Sequence, residues 1–405
     1  MTEFYTYMLP NGIKGIHRQV KGNVARCALC INAGSRDELS TEYGLAHFTE
    51  HAFFKGTQRR KAYQVNCRLE NLGGELNAFT TKEDTTIHAT TLRGDFSKAA
   101  ELIADIAFRS TFPDRELDKE REVVTDEINT YKDSPVDMIY DTFEDLLFEG
   151  SELGHNILGT KQALKRYDGD AVRRFVCRTH TTDQMVFSTI GNLSPKAVEA
   201  VAQRHFGTQP ATSRTFRRTT PAPYAPFDRT VNRHTHQTHC IIGSRACGID
   251  DRQRLPLGLV VNILGGPCAN SRLNMTVREK YGLSYTVEAG YTPYGDCGMV
   301  AIYFSSDHHH ADRCCELIDA ELRRLRTERL TTRQLSMAKK QYTAQLAISM
   351  ESNEGYMLGM GKSFLCHDEV ETMDEVYRKI EALTANELAA AAEMAFSNVS
   401  QLIYK

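Results

Sequence analysis

Apolar and polar residues alternate along this chain with a strand period in some stretches and a helical period in others, so the order of these stretches predicts a sequence of elements. A first strand turns at Pro10-Asn11-Gly12, a hairpin signal, into a second at residues 13–19. The apolar run 24–33 predicts another strand, and a largely apolar helix follows between Gly44 and Gly56. Residues 75–92 alternate through the polar turn Lys82-Glu83-Asp84 and predict two paired strands. Residues 96–109 and 116–131 have helical spacing on either side of Pro113; more helix runs to about residue 148, then mixed structure to residue 206. Pro210, Pro221, Pro223 and Pro226 then stand among Thr, Ser and Arg, the composition of a linker.

Beyond the linker the order repeats. A strand at 238–247 matches 24–33, a helix at 254–264 matches the Gly44–Gly56 helix, a strand pair at 283–305 matches 75–92, and helices at 311–325 and 330–349 match the two later ones. An internal duplication accounts for this. The prediction is therefore an α+β protein of two homologous halves, residues 1–206 and 231–405, joined by the Pro/Arg-rich linker 207–230. Each half would be a mainly antiparallel sheet with helices packed on one face.

A chain of 405 residues is long enough for two cores. Its net charge of −3 offers no electrostatic reason to expect nucleic acid as a partner. No segment approaches the ~20 apolar residues of a membrane span. The start, Met1-Thr2-Glu3-Phe4-Tyr5, resembles neither a signal peptide nor an Arg-rich transit peptide, so a cytoplasmic location is expected. Eleven cysteines, an odd number scattered along the chain, suit a reducing compartment. Cys27 and Cys30 would point to opposite faces of one strand, as packed thiols and not as a redox or metal pair. His234 and His236 would share a strand face, but no third ligand stands at convincing spacing, so an ordinary strand is expected. His308-His309-His310 follows Asp307, an expected N-cap, and reads as an exposed helix start.

The chemistry is concentrated in His47-Phe48-Thr49-Glu50-His51. On a helix, positions i, i+3 and i+4 share a side, so two imidazoles and a carboxylate converge there. Two neutral imidazoles at this spacing can hold one Zn²⁺, and a carboxylate close by can accept a proton from water. The order is that of an inverted zinc-peptidase helix, His-x-x-Glu-His. A catalytic zinc site wants a third protein ligand and an open position. Glu127 is the candidate, 76 residues after His51 and two helical turns from Glu120, on the same face.

With these residues the chain resembles the inverzincin peptidases of the pitrilysin, insulinase and mitochondrial processing peptidase family (M16). The resemblance implies one Zn²⁺ per chain on His47, His51 and Glu127, with Glu50 as general base and Glu120 orienting a ligand. It also implies that Asn77, Ala78, Phe79 and Thr80 form an edge strand that takes an extended peptide, and that Arg278 and Tyr285 hold the substrate and the reacting carbonyl. Aligning the repeats by 211 residues lays His47, Glu50 and His51 on Gly258, Val261 and Asn262; by 218, Glu120 and Glu127 fall on Ala338 and Gln345. The second half thus keeps the fold without the metal. Implied overall are two halves enclosing a chamber, a zinc-dependent endopeptidase acting on small or unfolded polypeptides, and a homodimer. Two other readings stand beside it: a catalytic subunit of a two-protein processing peptidase, and a non-catalytic core subunit that only binds peptides.

Overall fold

A computed structural model of the chain describes residues 3–405. In the first part of the chain the strands are β1 (Tyr5–Met8), β2 (Lys14–Gln19), β3 (Val24–Ile31), β4 (Glu75–Thr80), β5 (Thr85–Leu92) and β6 (Met185–Gly191). The helices there are α1 (Leu45–Phe53), α2 (Ala62–Glu70), α3 (Phe96–Arg109), α4 (Asp114–Lys132), α5 (Pro135–Leu147), α6 (Lys161–Leu164), α7 (Gly169–Thr179) and α8 (Pro195–His205). The remainder supplies β7 (Asp228–Val231), β8 (Thr238–Ala246), β9 (Ser284–Pro293), β10 (Gly298–Ser306) and β11 (Ser400–Tyr404). Its helices are α9 (Arg254–Gly265), α10 (Ala311–Thr327), α11 (Thr332–Ser349), α12 (Asn353–His367), α13 (Met373–Ala382) and α14 (Ala385–Phe396).

Two sheets form, and their topologies carry the duplication. The first has the order β1-β2-β6-β3-β5-β4 and the second β7-β11-β8-β10-β9. Without β1, each runs through one parallel pair, β2–β6 or β7–β11, and then three antiparallel pairs. β4 and β9 occupy the matching free edges. The α+β class and the two like halves are as the element order predicts.

The two compact units are not contiguous in sequence. One comprises residues 1–129, 155–219 and 348–372; the other comprises 130–154, 220–347 and 373–405. The reason lies in the strands. In β3, Cys27, Leu29 and Ile31 face one way and Ala28 and Cys30 the other, and all are buried, so both faces of the sheet need cover. On one face Phe187 of β6 meets Phe96 of α3 and Phe206 after α8, with ring centroids 6.4 and 4.6 Å apart. On the other lies α12, from late in the chain: Ser188 donates to the Met357 carbonyl at 2.8 Å, and a Cβ on Gly361 would come within 2.7 Å of Cys30 Sγ. In the second unit α9, α10 and α14 cover Cys240, Ile242, Val300, Ile302 and Phe304. The opposite face, with Ile241, Ala301, Tyr303 and Leu402, is closed by Ile139, Phe143 and Leu147 of α5, a helix from the first part of the chain. Each sheet therefore has helices on both faces, where the pattern predicted one.

Other local expectations are resolved in the same way. Cys27 and Cys30 do point to opposite faces, and burial pushes both thiols up to about 12. The linker is strapped down along part of its length: Arg218 makes two hydrogen bonds to Asp37, at 2.9 and 2.7 Å, and Arg36 donates to the Thr219 carbonyl at 2.8 Å. β8 begins only at Thr238, so His234 and His236 lie in the preceding loop and not on a strand; His234 has a left-handed φ of 53°. Asp307 makes no side-chain cap to the helical turn that follows it.

Candidate metal centre

The helix that carries the motif is fixed from three sides. Its apolar residues Phe48 and Phe53 are fully buried, Phe48 near Tyr167 and Phe53 near Phe112 and His180. Its start has no side-chain cap of its own, because Gly44 stands there with φ 93°. A side chain at Gly44 would meet the Leu158 carbonyl at 2.7 Å, so close backbone passage as well as the left-handed φ requires glycine. Glu38 takes the cap's place. Its buried carboxylate accepts from the backbone N–H groups of Gly44 at 3.0 Å and Ala46 at 2.6 Å, and His155 Nε2 lies 2.8 Å from it. His155 in turn stacks on Tyr43, centroids 3.9 Å apart.

On another side of α1 the rings of buried His47 and half-buried His51 stand 4.6 Å apart. Glu127 of α4 faces both: His47 Nε2 is 3.6 Å from its Oε1, and His51 Nε2 is 3.6 Å from its Oε2. Those separations are too long for hydrogen bonds. Two ligands bound tetrahedrally at 2.0–2.1 Å stand about 3.4 Å apart, so the spacing suits a shared cation. Ligand atoms of His47, His51 and Glu127 all lie within 4.8 Å of one another. The donor set of two imidazoles and a carboxylate is also that of a zinc site with an open position.

The surrounding charges sort the two imidazoles. His51 Nδ1 lies 2.7 Å from Glu120 Oε1. Glu120 is held below the usual carboxylate range: burial pushes it up, but the His51 and Lys55 partners outweigh that. An ionised carboxylate can only accept, so His51 donates from Nδ1 and keeps Nε2 for Glu127 or a metal. Burial pulls His51 down, yet hydrogen bonding and charge from Glu120, with Glu50 and Glu127, raise it above its ordinary value. His47 has no such support. Burial, then the His51 charge, takes it to about 3, so it is neutral at any physiological pH, and its Nδ1 has no hydrogen-bond partner among the described residues. Glu50 is raised, chiefly by burial and further by Glu127, with the Thr80 hydroxyl and His51 partly offsetting this.

Thr80 ends β4, and β4 is the free edge of its sheet, as expected for residues 77–80. Glu50 therefore sits beside an edge whose outward N–H and C=O groups can pair with another extended chain. In the second unit Arg278 lies within the π-helical turn Asn274–Lys280, and Tyr285 is the second residue of β9. Both are exposed, Tyr285 at 80%, and the guanidinium lies 4.8 Å from the centre of the tyrosine ring. The places equivalent to the metal ligands are filled otherwise. A Cβ on Gly258 would lie 2.8 Å from the Tyr342 hydroxyl, and Gln345 donates to Cys268 Sγ at 2.9 Å. Sequence reasoning missed Glu38, Lys55 and His155, whose partners are remote in the chain or had no spacing rule to point to them.

The chain is similar to known proteins along its whole length. Residues 16–161 match the family model described as Insulinase (Peptidase family M16), and residues 167–342 match that described as Peptidase M16 inactive domain. The uncharacterized zinc protease YmxG of Bacillus subtilis (strain 168) is 32% identical over 367 residues, covering 91% of this chain and 89% of that protein. The uncharacterized zinc protease SCO5738 of Streptomyces coelicolor is 29% identical over 394 residues, covering 95% and 85%. A protease from Helicobacter pylori has the same fold, with a TM-score of 0.92 at 20% identity over 100% of both chains. A peptidase M16 inactive domain from Pseudomonas fluorescens superposes with a TM-score of 0.92 at 19% identity, covering 99% of this chain and 97% of that one.

Proposed function

Because the chain belongs to the M16 (insulinase) family of peptidases, we propose that it is a zinc-dependent endopeptidase that hydrolyses internal bonds of small or unfolded polypeptides. The observation that carries this reading is the meeting, in one unit, of a three-ligand donor set, a half-buried carboxylate and an open strand edge. His47, His51 and Glu127 would hold one Zn²⁺, and Glu120 fixes the tautomer of His51. When bound, the ion supplies Lewis-acid chemistry, polarising a carbonyl and making water more acidic.

The chain's own residues do the rest. An extended peptide pairs with β4 along Asn77-Ala78-Phe79-Thr80, which brings its backbone past Glu50. Glu50 takes the proton of the attacking water and passes it to the leaving amine nitrogen; a carboxylate raised by burial is better matched to both halves of that transfer than an exposed one. Arg278 would hold a substrate carbonyl or carboxylate, and Tyr285 would donate to the developing oxyanion.

The purified chain alone, mixed with a quenched peptide library, should cut internal bonds, stop with a chelator and resume with added Zn²⁺. Binding of peptides without cleavage by the zinc-loaded chain would refute the assignment. Cleavage only after a second protein is added would instead favour the two-protein peptidase.

A further inference from the structure

In the second half, other side chains of the kinds that can ligate a metal come together at a turn. Strand β10 ends at Ser306, a single helical turn covers His308–His310, and α10 begins at Ala311. Ligand atoms of Asp307, His309 and His310 all lie within 4.8 Å of one another. The rings of His309 and His310 are 4.0 Å apart and tilted by 54°. Simple roles for these residues in the fold are not taken up. Asp307 does not cap the turn with its side chain; its backbone carbonyl does the bonding, accepting from His310 N–H at 2.9 Å. Among the described residues His308 is the one of the four whose side chain is hydrogen-bonded elsewhere, its Nδ1 lying 2.8 Å from Thr238 Oγ1.

The duplication supplies an internal control. In the first half the corresponding passage from β5 to α3 is Leu92-Arg93-Gly94-Asp95, which forms the same short helical turn without an imidazole. The turn therefore does not require histidine, and the three converging donors are a property of this half alone. From this we infer that Asp307, His309 and His310 form a second divalent-cation site. Two imidazoles and one carboxylate at a solvent-exposed turn suit Zn²⁺, Ni²⁺, Co²⁺ or Cu²⁺, with water completing the shell, and are a poor match for Mg²⁺ or Ca²⁺. Because Asp307 and His309 are exposed, small side-chain rotations can tighten the cluster round an ion.

The test is a titration of full-length chain, loaded beforehand with one equivalent of Zn²⁺, with further Zn²⁺ followed by calorimetry. One additional equivalent should bind. The variant carrying Asp307→Ala, His309→Ala and His310→Ala together should lose it, or bind it at least ~10-fold more weakly, while still holding the first equivalent. The single variant His309→Gln, which keeps side-chain size and polarity, should show the same loss with less risk to the turn. His51→Ala, which damages the first site, should still bind one equivalent tightly when titrated from the metal-free state. No further binding by the parent chain, or unchanged binding in both the triple and single variants, would overturn the inference.

Discussion

Glu120→Gln separates what a neighbouring carboxylate does for a metal ligand from what the ligand does itself. Glu120 lies against His51 Nδ1 at 2.7 Å and pairs with Lys55, with only 9% of its side chain exposed. Glutamine can still accept from His51, but it brings no charge. Loss of such an outer partner weakens metal binding by 10- to 100-fold in other sites, about 1.4–2.7 kcal/mol. The pH dependence gives the diagnostic sign. A proton on His51 Nε2 competes with the metal, and His51 is raised because Glu120, Glu50 and Glu127 outweigh burial, so competition in the parent protein begins above the ordinary value of 6.5. Removing the Glu120 charge lowers His51 and moves the competition to lower pH. The variant should therefore lose most affinity near pH ~8, where basicity and orientation of the ligand decide, and less near pH ~6, where relief from the proton offsets part of the loss. Zinc competition against a chromogenic chelator across that range measures both. Equal affinities at pH ~8, or a deficit that grows as pH falls, would refute the reasoning.

Glu50→Gln should keep zinc and fold but lower peptide hydrolysis by at least ~10²-fold, measured as kcat on zinc-loaded protein; near-normal turnover would remove Glu50 from the proton-transfer role. Glu127→Gln should cost metal affinity as well as rate, which a chelator titration distinguishes from the Glu50 variant. Tyr285→Phe should lower kcat by an amount corresponding to roughly 2.7–4 kcal/mol, and Arg278→Ala should mainly raise KM; steady-state kinetics on one quenched peptide separates the two. Glu38→Ala should destabilise the chain by about 1–2 kcal/mol in urea unfolding, because two N–H groups at the start of α1 lose their acceptor.

Much of the site is legible in the amino-acid sequence, because its parts obey short-range rules. His47, Glu50 and His51 share a side of one helix by the 3.6-residue period, Glu120 and Glu127 by two turns of another, and β4 and β5 declare themselves by alternation round a polar turn. The duplication can be read from element order alone, and the paired strand orders of the two sheets agree with it. Other features obey no such rule. Nothing local tells that Glu38 caps α1 from outside the helix, or that Arg218 in a proline-rich run is tied to Asp37 across 181 positions. The same holds for the exchange of α5 and α12. Their apolar faces announce burial but not against which sheet, since the hydrophobic effect has no direction and is satisfied by whichever complementary surface the folded chain presents. The convergence of Asp307, His309 and His310 belongs with these: the residues are neighbours in sequence, but only the turn between β10 and α10 aims their donor atoms at one point.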